Sequence, residues 1–491
     1  MISEESSSLT ADPGRLSSRT VVGTLVFVEL VSGLIQGVVP TLSPQLGEEL
    51  GVSTAGLNWI SSVFLVSSVI WVPMLSKLGD LYGHRKIMRV AIVLLAVGSV
   101  LVAFAPNYAV FLIGRALQGA LLSLLPLEMG LVRNRLNREQ ARSAIAILLG
   151  ALMLGFSLGY VVAGVLLDLT SSAQTTLWFP AVATILCIAV PFFFVPESSL
   201  RFRTEVRMDW SGAALLALGL GGVMLALALG PQHGWSNARV IALGAAGVII
   251  LAIWWRIELR QRQPLIVVRQ LTDPRVGTLY IGALLVGAAS FGPLTAFATF
   301  AATSPTSGYG LGLSGTKLGL FLSTMGIGVF IASVIAPRLA RRVGQRPVVI
   351  AGFAVGMLAF IGMIEFASTT AGMAVMVGLV GISEGLVVAI LPIMILERLP
   401  REEAGISAGL YNMVRTLGGS LMGAVIAVVF TSATHAGVKW VSISGYHTVW
   451  TICAAVSLVG AALILASSRH RHNEMMSPAP STAASQPTET A

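Results

Sequence analysis

Fourteen runs of about twenty or more mostly apolar residues succeed one another along the chain. They lie near 20–44, 57–77, 87–106, 108–131, 143–167, 176–196, 211–231, 238–257, 276–301, 314–337, 347–367, 372–395, 405–431 and 447–467. A helix of about 20 apolar residues crosses the hydrocarbon core of a bilayer. Composition agrees: 55 % of residues are hydrophobic and only 11 % charged, against roughly 25 % charged in a soluble domain. Too few charges are present to cover a soluble particle of this size. The sequence therefore predicts an all-α integral membrane protein of fourteen transmembrane helices. The run after residues 1–19 is too long for a signal-peptide core and lacks a small-residue cleavage pattern, so it reads as an uncleaved first span.

The basic residues set the orientation. One set of loops, together with both tails, holds 26 of the 31 Lys and Arg residues. The opposite loops hold only Arg239, Lys317 and Lys439, while Arg115 and Arg415 fall inside spans. Cytoplasmic loops are the Lys/Arg-rich ones, so both termini are expected in the cytoplasm and the chain in the cell membrane. A missed span would invert every later loop and erase this split. The net charge of +9 is thus spread over eight segments as a topology signal, not gathered as a nucleic-acid surface. Cys187 and Cys453 sit in apolar runs without ligand spacing, as buried inert thiols. No metal-spaced cluster, no G-x-x-x-x-G-K-[ST] run and no catalytic constellation occurs. The expectation is no enzyme, no cofactor, no metal and no ATP as driver.

A repeat organises the spans. The turn between spans 2 and 3 reads Ser76-Lys77-Leu78-Gly79-Asp80-Leu81-Tyr82-Gly83-His84-Arg85-Lys86. The turn between spans 10 and 11 reads Pro337-Arg338-Leu339-Ala340-Arg341-Arg342-Val343-Gly344-Gln345-Arg346. Both carry a Leu, a small residue, a charge, then Gly and basic residues. The copies stand eight spans apart, which six-plus-six helices with two inserted explain. The expected organisation is a tail at 1–19, a six-helix bundle at 20–196, two inserted helices with linkers at 197–275, a second six-helix bundle at 276–467 and a disordered tail at 468–491.

On these residues the chain resembles the major facilitator superfamily, and within it the fourteen-span drug–proton antiporter branch. The superfamily signature G-x-L-x-D-R-x-G-R-K/R is matched at Leu78, Asp80, Gly83, Arg85 and Lys86, and departed from at Ser76, Leu81 and His84. Span 4 carries Gly114-Arg115-Ala116-Leu117-Gln118-Gly119, similar to the family's R-x-x-Q-G, and span 13 carries the similar run Asn412 to Gly419. The resemblance covers about residues 20–467. It implies a conformational latch between the halves at Asp80, Gly83, Arg85 and Lys86, and a role for Arg115 in proton transfer. A simple turn cap is the other reading of Asp80. Span 5 departs from the exporters' G-P-x-x-G-G, with Tyr160 in place of Pro and Ala163 in place of Gly. Gly155, Gly159 and Gly164 still permit close helix packing.

Charges inside spans are the functional candidates, since ionisable groups at that depth are costly. In span 1, Glu29, Ser32, Gly33, Gln36 and Pro40 share one helical face. In span 12, Glu384 lies between Gly381 and Gly385. Either carboxyl can carry a proton, or serve as a hydrogen-bonded or Arg-paired structural group. Glu128 and Glu365 lie nearer helix ends, where interfacial solvation is expected. Arg115, Gln118, Leu122 and Pro126 share a face of span 4, and Ser407, Tyr411, Arg415 and Gly418 a face of span 13. Each arginine either lines the pathway or pins helices together. Glu29, Glu384 and Arg115 are therefore the proton-coupling candidates. Gln36, Gln118, Tyr411, Arg415, Phe291 and Phe297 are the substrate-cavity candidates, with core packing the other reading of the two aromatics.

The expected function is proton-coupled export of amphipathic drugs or toxic small molecules by alternating access, by a monomer whose partners are a small-molecule substrate, protons and the lipid bilayer. Export of an endogenous metabolite, peptide or lipid is the alternative on the same fold. A proton-translocating subunit of a respiratory or cation-antiporter complex is remote, because Lys77, Lys86, Lys317 and Lys439 all stand in loops or at helix ends.

Overall fold

The computed structural model describes residues 18–136, 138–195, 208–261, 264–399, 404–434 and 441–476. Expectations for residues 1–17 and 477–491, and the topology charges Arg15, Arg201, Arg203, Arg207, Arg262, Arg401 and Lys439, lie outside the described residues.

Fourteen helices are long and apolar enough to cross a membrane. In order they are Thr20–Glu49, Thr54–Tyr82, His84–Ala103, Tyr108–Val132, Ile147–Thr170, Ala173–Phe193 and Trp210–Gly230, then Ala238–Arg260, Gly277–Ala302, Gly315–Val343, Gln345–Glu365, Thr370–Leu396, Gly409–Ser432 and Ile443–Ala466. They are numbered below as spans 1 to 14. Polar residues at the span ends take up the orphan backbone donors. The Ser53 hydroxyl accepts from the Gly56 N–H, Asn107 from Val110, Asp209 from Gly212 and Thr369 from Gly372.

The repeated turn is tighter than a loop. Span 2 continues through Asp80 to Tyr82, and one residue, Gly83, separates it from span 3. Span 10 continues to Val343, and Gly344 alone separates it from span 11. The two glycines have φ of 98° and 93°, in the region L side chains avoid. Each N–H donates back into the preceding helix, Gly83 to the Gly79 carbonyl and Gly344 to the Ala340 carbonyl, both at 2.9 Å.

Packing repeats with the turn. Span 1 lies along span 5, as span 9 lies along span 13. Span 2 packs on span 4, as span 10 packs on span 12. Span 3 touches spans 4 and 6, as span 11 touches spans 12 and 14. The halves meet along spans 5 and 10 and along spans 2 and 13, and exchanging the halves converts one seam into the other. Spans 7 and 8 pack on each other, and span 7 reaches spans 2 and 13.

Glycine lets spans 1 and 5 approach backbone to backbone. A Cβ at Gly155 would collide with the Leu30 carbonyl, and one at Gly159 with that of Leu34. In the other direction, Gly33 faces the Leu152 carbonyl and Gly37 that of Phe156. Gly164 instead packs on the Gly315 carbonyl, across the halves. Gly150 has open space before it. We expect Gly155→Ala to destabilise the chain by about 1–3 kcal/mol through forced separation of the helices, while Gly150→Ala leaves its stability unchanged or raised. Thermal unfolding of the two purified variants against wild type checks the contrast.

Candidate functional site

A cavity of about 70 Å³ lies between the halves. The first half supplies Glu29, Ser32 and Gln36 of span 1, Leu122 and Pro126 of span 4, and Phe156 of span 5. The second half supplies Phe291 of span 9, Glu384 of span 12, and Asn412, Arg415 and Thr416 of span 13. Drug-sized ligands occupy pockets of about 300–1,000 Å³. In this conformation the cavity has room for water rather than such a solute, so the halves must move apart to admit one.

Two spans break their helix beside the cavity, where irregular backbone is tolerated. Span 9 is interrupted at Gly292 and Pro293, between Gly277–Phe291 and Leu294–Ala302. Span 4 winds into a 3₁₀ segment at Gly119–Ser123. A 3₁₀ helix turns 120° per residue against 100° for an α-helix, so five residues rotate the following helix by about 100°. That rotation corrects the sequence expectation for span 4. Leu122 and Pro126 face the cavity, but Arg115 and Gln118 turn toward spans 2 and 3. The Arg115 Nη1 donates to Gln118 Oε1 at 2.6 Å, its Nε to the Ile60 carbonyl at 3.4 Å, and its guanidinium lies 4.4 Å from the Phe64 ring centre. Gln118 Nε2 donates in turn to Ser99 Oγ at 3.0 Å. Arg115 and Gln118 tie spans 2, 3 and 4 together and stand outside the cavity lining.

The charged pair of the second half is Glu384 and Arg415, with Oε1 and Nη1 3.2 Å apart. The Arg415 guanidinium also lies 4.7 Å from the Phe291 ring centre, a cation–π contact. Tyr411, one turn before Arg415, is buried, and its hydroxyl has no hydrogen-bond partner among the described residues. Phe297 does not reach the cavity. It is fully buried and stacks on Phe360 with ring centres 6.3 Å apart, which is core packing. Helix restart after Pro293 separates it from Phe291.

Glu29 differs from Glu384. It is 1 % exposed, and neither carboxyl oxygen has a donor from any described residue. The side chain that faces it is Glu128 of span 4, itself 0 % exposed and equally without a donor. This corrects the expectation of interfacial solvation for Glu128; Glu365 is exposed as expected. The sequence did carry a signal for Glu128: it is the one acid in the apolar run 121–132.

The first copy of the repeated turn makes contacts within the first half. Arg85 donates from Nε to the Pro191 carbonyl at 3.1 Å and from Nη2 to the Phe192 carbonyl at 2.8 Å. Cationic groups are favourable at such a helix C-terminus, and these clip span 3 to span 6. Lys86 lies over the Tyr82 ring at 5.9 Å. Asp80 is in the last turn of span 2, 71 % exposed at its side chain, and pairs with His84 Nε2 at 3.2 Å. In this conformation Asp80 is not closed on span 13. The halves are tied at the other end instead. Asp168, in the last turn of span 5, accepts from the Thr316 N–H at 2.8 Å and hydroxyl at 2.6 Å at the start of span 10. On the other seam, Ser61 and Thr295 hydroxyls are 2.9 Å apart, and Ser420 donates to the Ser62 carbonyl at 3.2 Å. Asp168→Ala should shift the population toward forms open at this end. The check is the distance distribution between spin labels at positions 170 and 317, which should broaden to longer values.

Two helical bundles that close on a largely apolar cavity carrying a few charged side chains, midway through a set of membrane spans, have the build of a membrane transporter. The sequence profile of the Major Facilitator Superfamily matches residues 25–424 and 279–488. The chain belongs to that superfamily. Multidrug resistance protein Stp of Mycobacterium tuberculosis (strain CDC 1551 / Oshkosh) is 24 % identical, over 79 % of this chain and 71 % of that protein. The uridine/deoxyuridine transporter of Lactococcus lactis subsp. cremoris (strain MG1363) is 25 % identical, over 58 % of this chain and 60 % of that one. Among solved structures, the human organic anion transporter MFSD10 (TETRAN) superposes with a TM-score of 0.60 at 17 % identity, covering 92 % of this chain and 100 % of that one. That likeness is one of fold.

Proposed function

We propose that the chain is a proton-coupled secondary transporter that exports amphipathic drugs or other toxic small molecules, working as a monomer in the cell membrane with both termini in the cytoplasm. The observation that carries this reading is Glu29, a buried carboxyl in the cavity wall that receives no hydrogen bond from any described residue. An ionised carboxylate at that depth is costly unless a cation or a proton meets it. Proton and cationic solute therefore compete for the same group, which is the condition for antiport. Glu384 is already matched by Arg415, which suits a role in orienting solute against Phe291. Phe156 and Phe291 offer apolar contact to the remainder of an amphipath. The halves would rock about the cavity, with Asp80 closing one end when the Asp168–Thr316 contact opens the other. Arg115 supports this motion from outside the cavity by holding span 4 to spans 2 and 3. The name of the Stp relative supports the drug-export reading.

The second reading, transport of a nucleoside-like metabolite, is favoured by the uridine/deoxyuridine transporter among the relatives. Expression in a host stripped of its own efflux pumps separates the two. Reduced ethidium accumulation that a protonophore reverses supports drug export. Unchanged ethidium accumulation with altered uridine movement supports the second reading.

A further inference from the structure

We propose that Glu29 and Glu128 form a single proton-holding unit, a carboxyl pair that cycles between two protons and one and never carries two negative charges. The proposal rests on the transport reading above and names the chemistry of its proton site. Glu29 comes from span 1 and Glu128 from span 4. Both are buried, at 1 % and 0 % exposure, and none of their four oxygens has a donor from another described residue. The two carboxyls face each other between spans 1 and 4, with no hydrogen bond closed between them in this conformation. Glu29 lines the cavity, whereas Glu128 stands behind it. The surroundings are apolar, with Leu25, Leu121, Leu124 and Leu127 in one buried cluster.

The groups facing the pair are few. Span 6 brings the buried Cys187 thiol toward Glu128. Arg135 follows on the face of span 4 two turns further on, about 10 Å along the helix. Among the described residues no basic side chain reaches either carboxyl. Two like charges at contact in a low dielectric repel strongly, so a dianion is not a working state of this pair. With both protons bound, each carboxyl donates its O–H to the other. When water in the cavity reaches Glu29, its proton passes to that water. The Glu128 O–H then donates to the Glu29 carboxylate, and one negative charge remains at the cavity wall. Glu128 thus supplies the donor that no other residue supplies. It is a positioning residue for the proton that Glu29 exchanges.

The test uses the full chain in lipid vesicles without solute, with the infrared band of protonated carboxyls and the number of protons released followed across pH. Wild type should release one proton per chain from this site. Glu128→Leu fills the apolar site and removes the donor, so the midpoint of the Glu29 band should move by more than about one pH unit, the mark of coupled sites. Glu128→Gln keeps an N–H donor toward Glu29 and should stay within that limit of wild type. Release of two protons, or a Glu128→Leu midpoint equal to wild type, overturns the pair. If the pair titrates as stated but a pH gradient drives no solute, the transport reading fails and the pair stands.

Discussion

Arg415→Leu should be the most destabilising single change in the cavity, at about 3–5 kcal/mol, because it strands Glu384 as an uncompensated buried charge. The side chains of Glu384 and Arg415 are 7 % and 14 % exposed, so water offers little relief. The loss should lessen as pH falls, since protonation removes the orphan charge. Adding Glu384→Gln in the same chain should recover most of it, because replacing both members of a buried pair is often neutral. Urea or thermal unfolding of the purified single and double variants, followed at two pH values, reads this directly. Equal destabilisation in the single and double variants would show that packing against Phe291, not charge, holds Arg415 in place.

The second large effect is on coupling. Glu29→Gln removes the one cavity-lining carboxyl of the first half while keeping its size. Movement driven by a pH gradient should fall to the background of protein-free vesicles. Downhill exchange of solute should persist, at a weakened affinity for cations, because Gln keeps the size of Glu29 and the other cavity residues and the seams between the halves are unchanged. A variant that loses both activities would place Glu29 in solute binding alone. A variant that keeps gradient-driven movement would take the proton away from this site.

How far the sequence could reach differs between elements for physical reasons. The spans were legible because about twenty apolar residues are a direct requirement of bilayer thickness. The repeated turn was legible because a one-residue reversal such as Gly83 or Gly344 needs the backbone freedom of glycine. The face of span 1 was likewise legible, since an unbroken helix puts Glu29, Ser32 and Gln36 on one wall. Span 4 was not. Its 3₁₀ segment at Gly119–Ser123 shifts the helical phase, which turns Arg115 and Gln118 out of the cavity and Glu128 into contact with Glu29. Periodicity at 3.6 residues carries no trace of that shift. Phe297 was misplaced for a related reason, the restart of span 9 after Pro293. The Asp80 latch depends on which end of the molecule is closed, a property of the conformational state rather than of the local sequence.

The most direct measurement is solute movement in vesicles that contain only the purified chain and lipid, with a pH gradient imposed and no ATP. Ethidium should move against its own gradient while the pH gradient lasts and stop when a protonophore collapses it, with Glu29→Gln inert under the same gradient. Ethidium movement that is the same with and without the gradient, or unchanged in Glu29→Gln, would contradict proton coupling through Glu29.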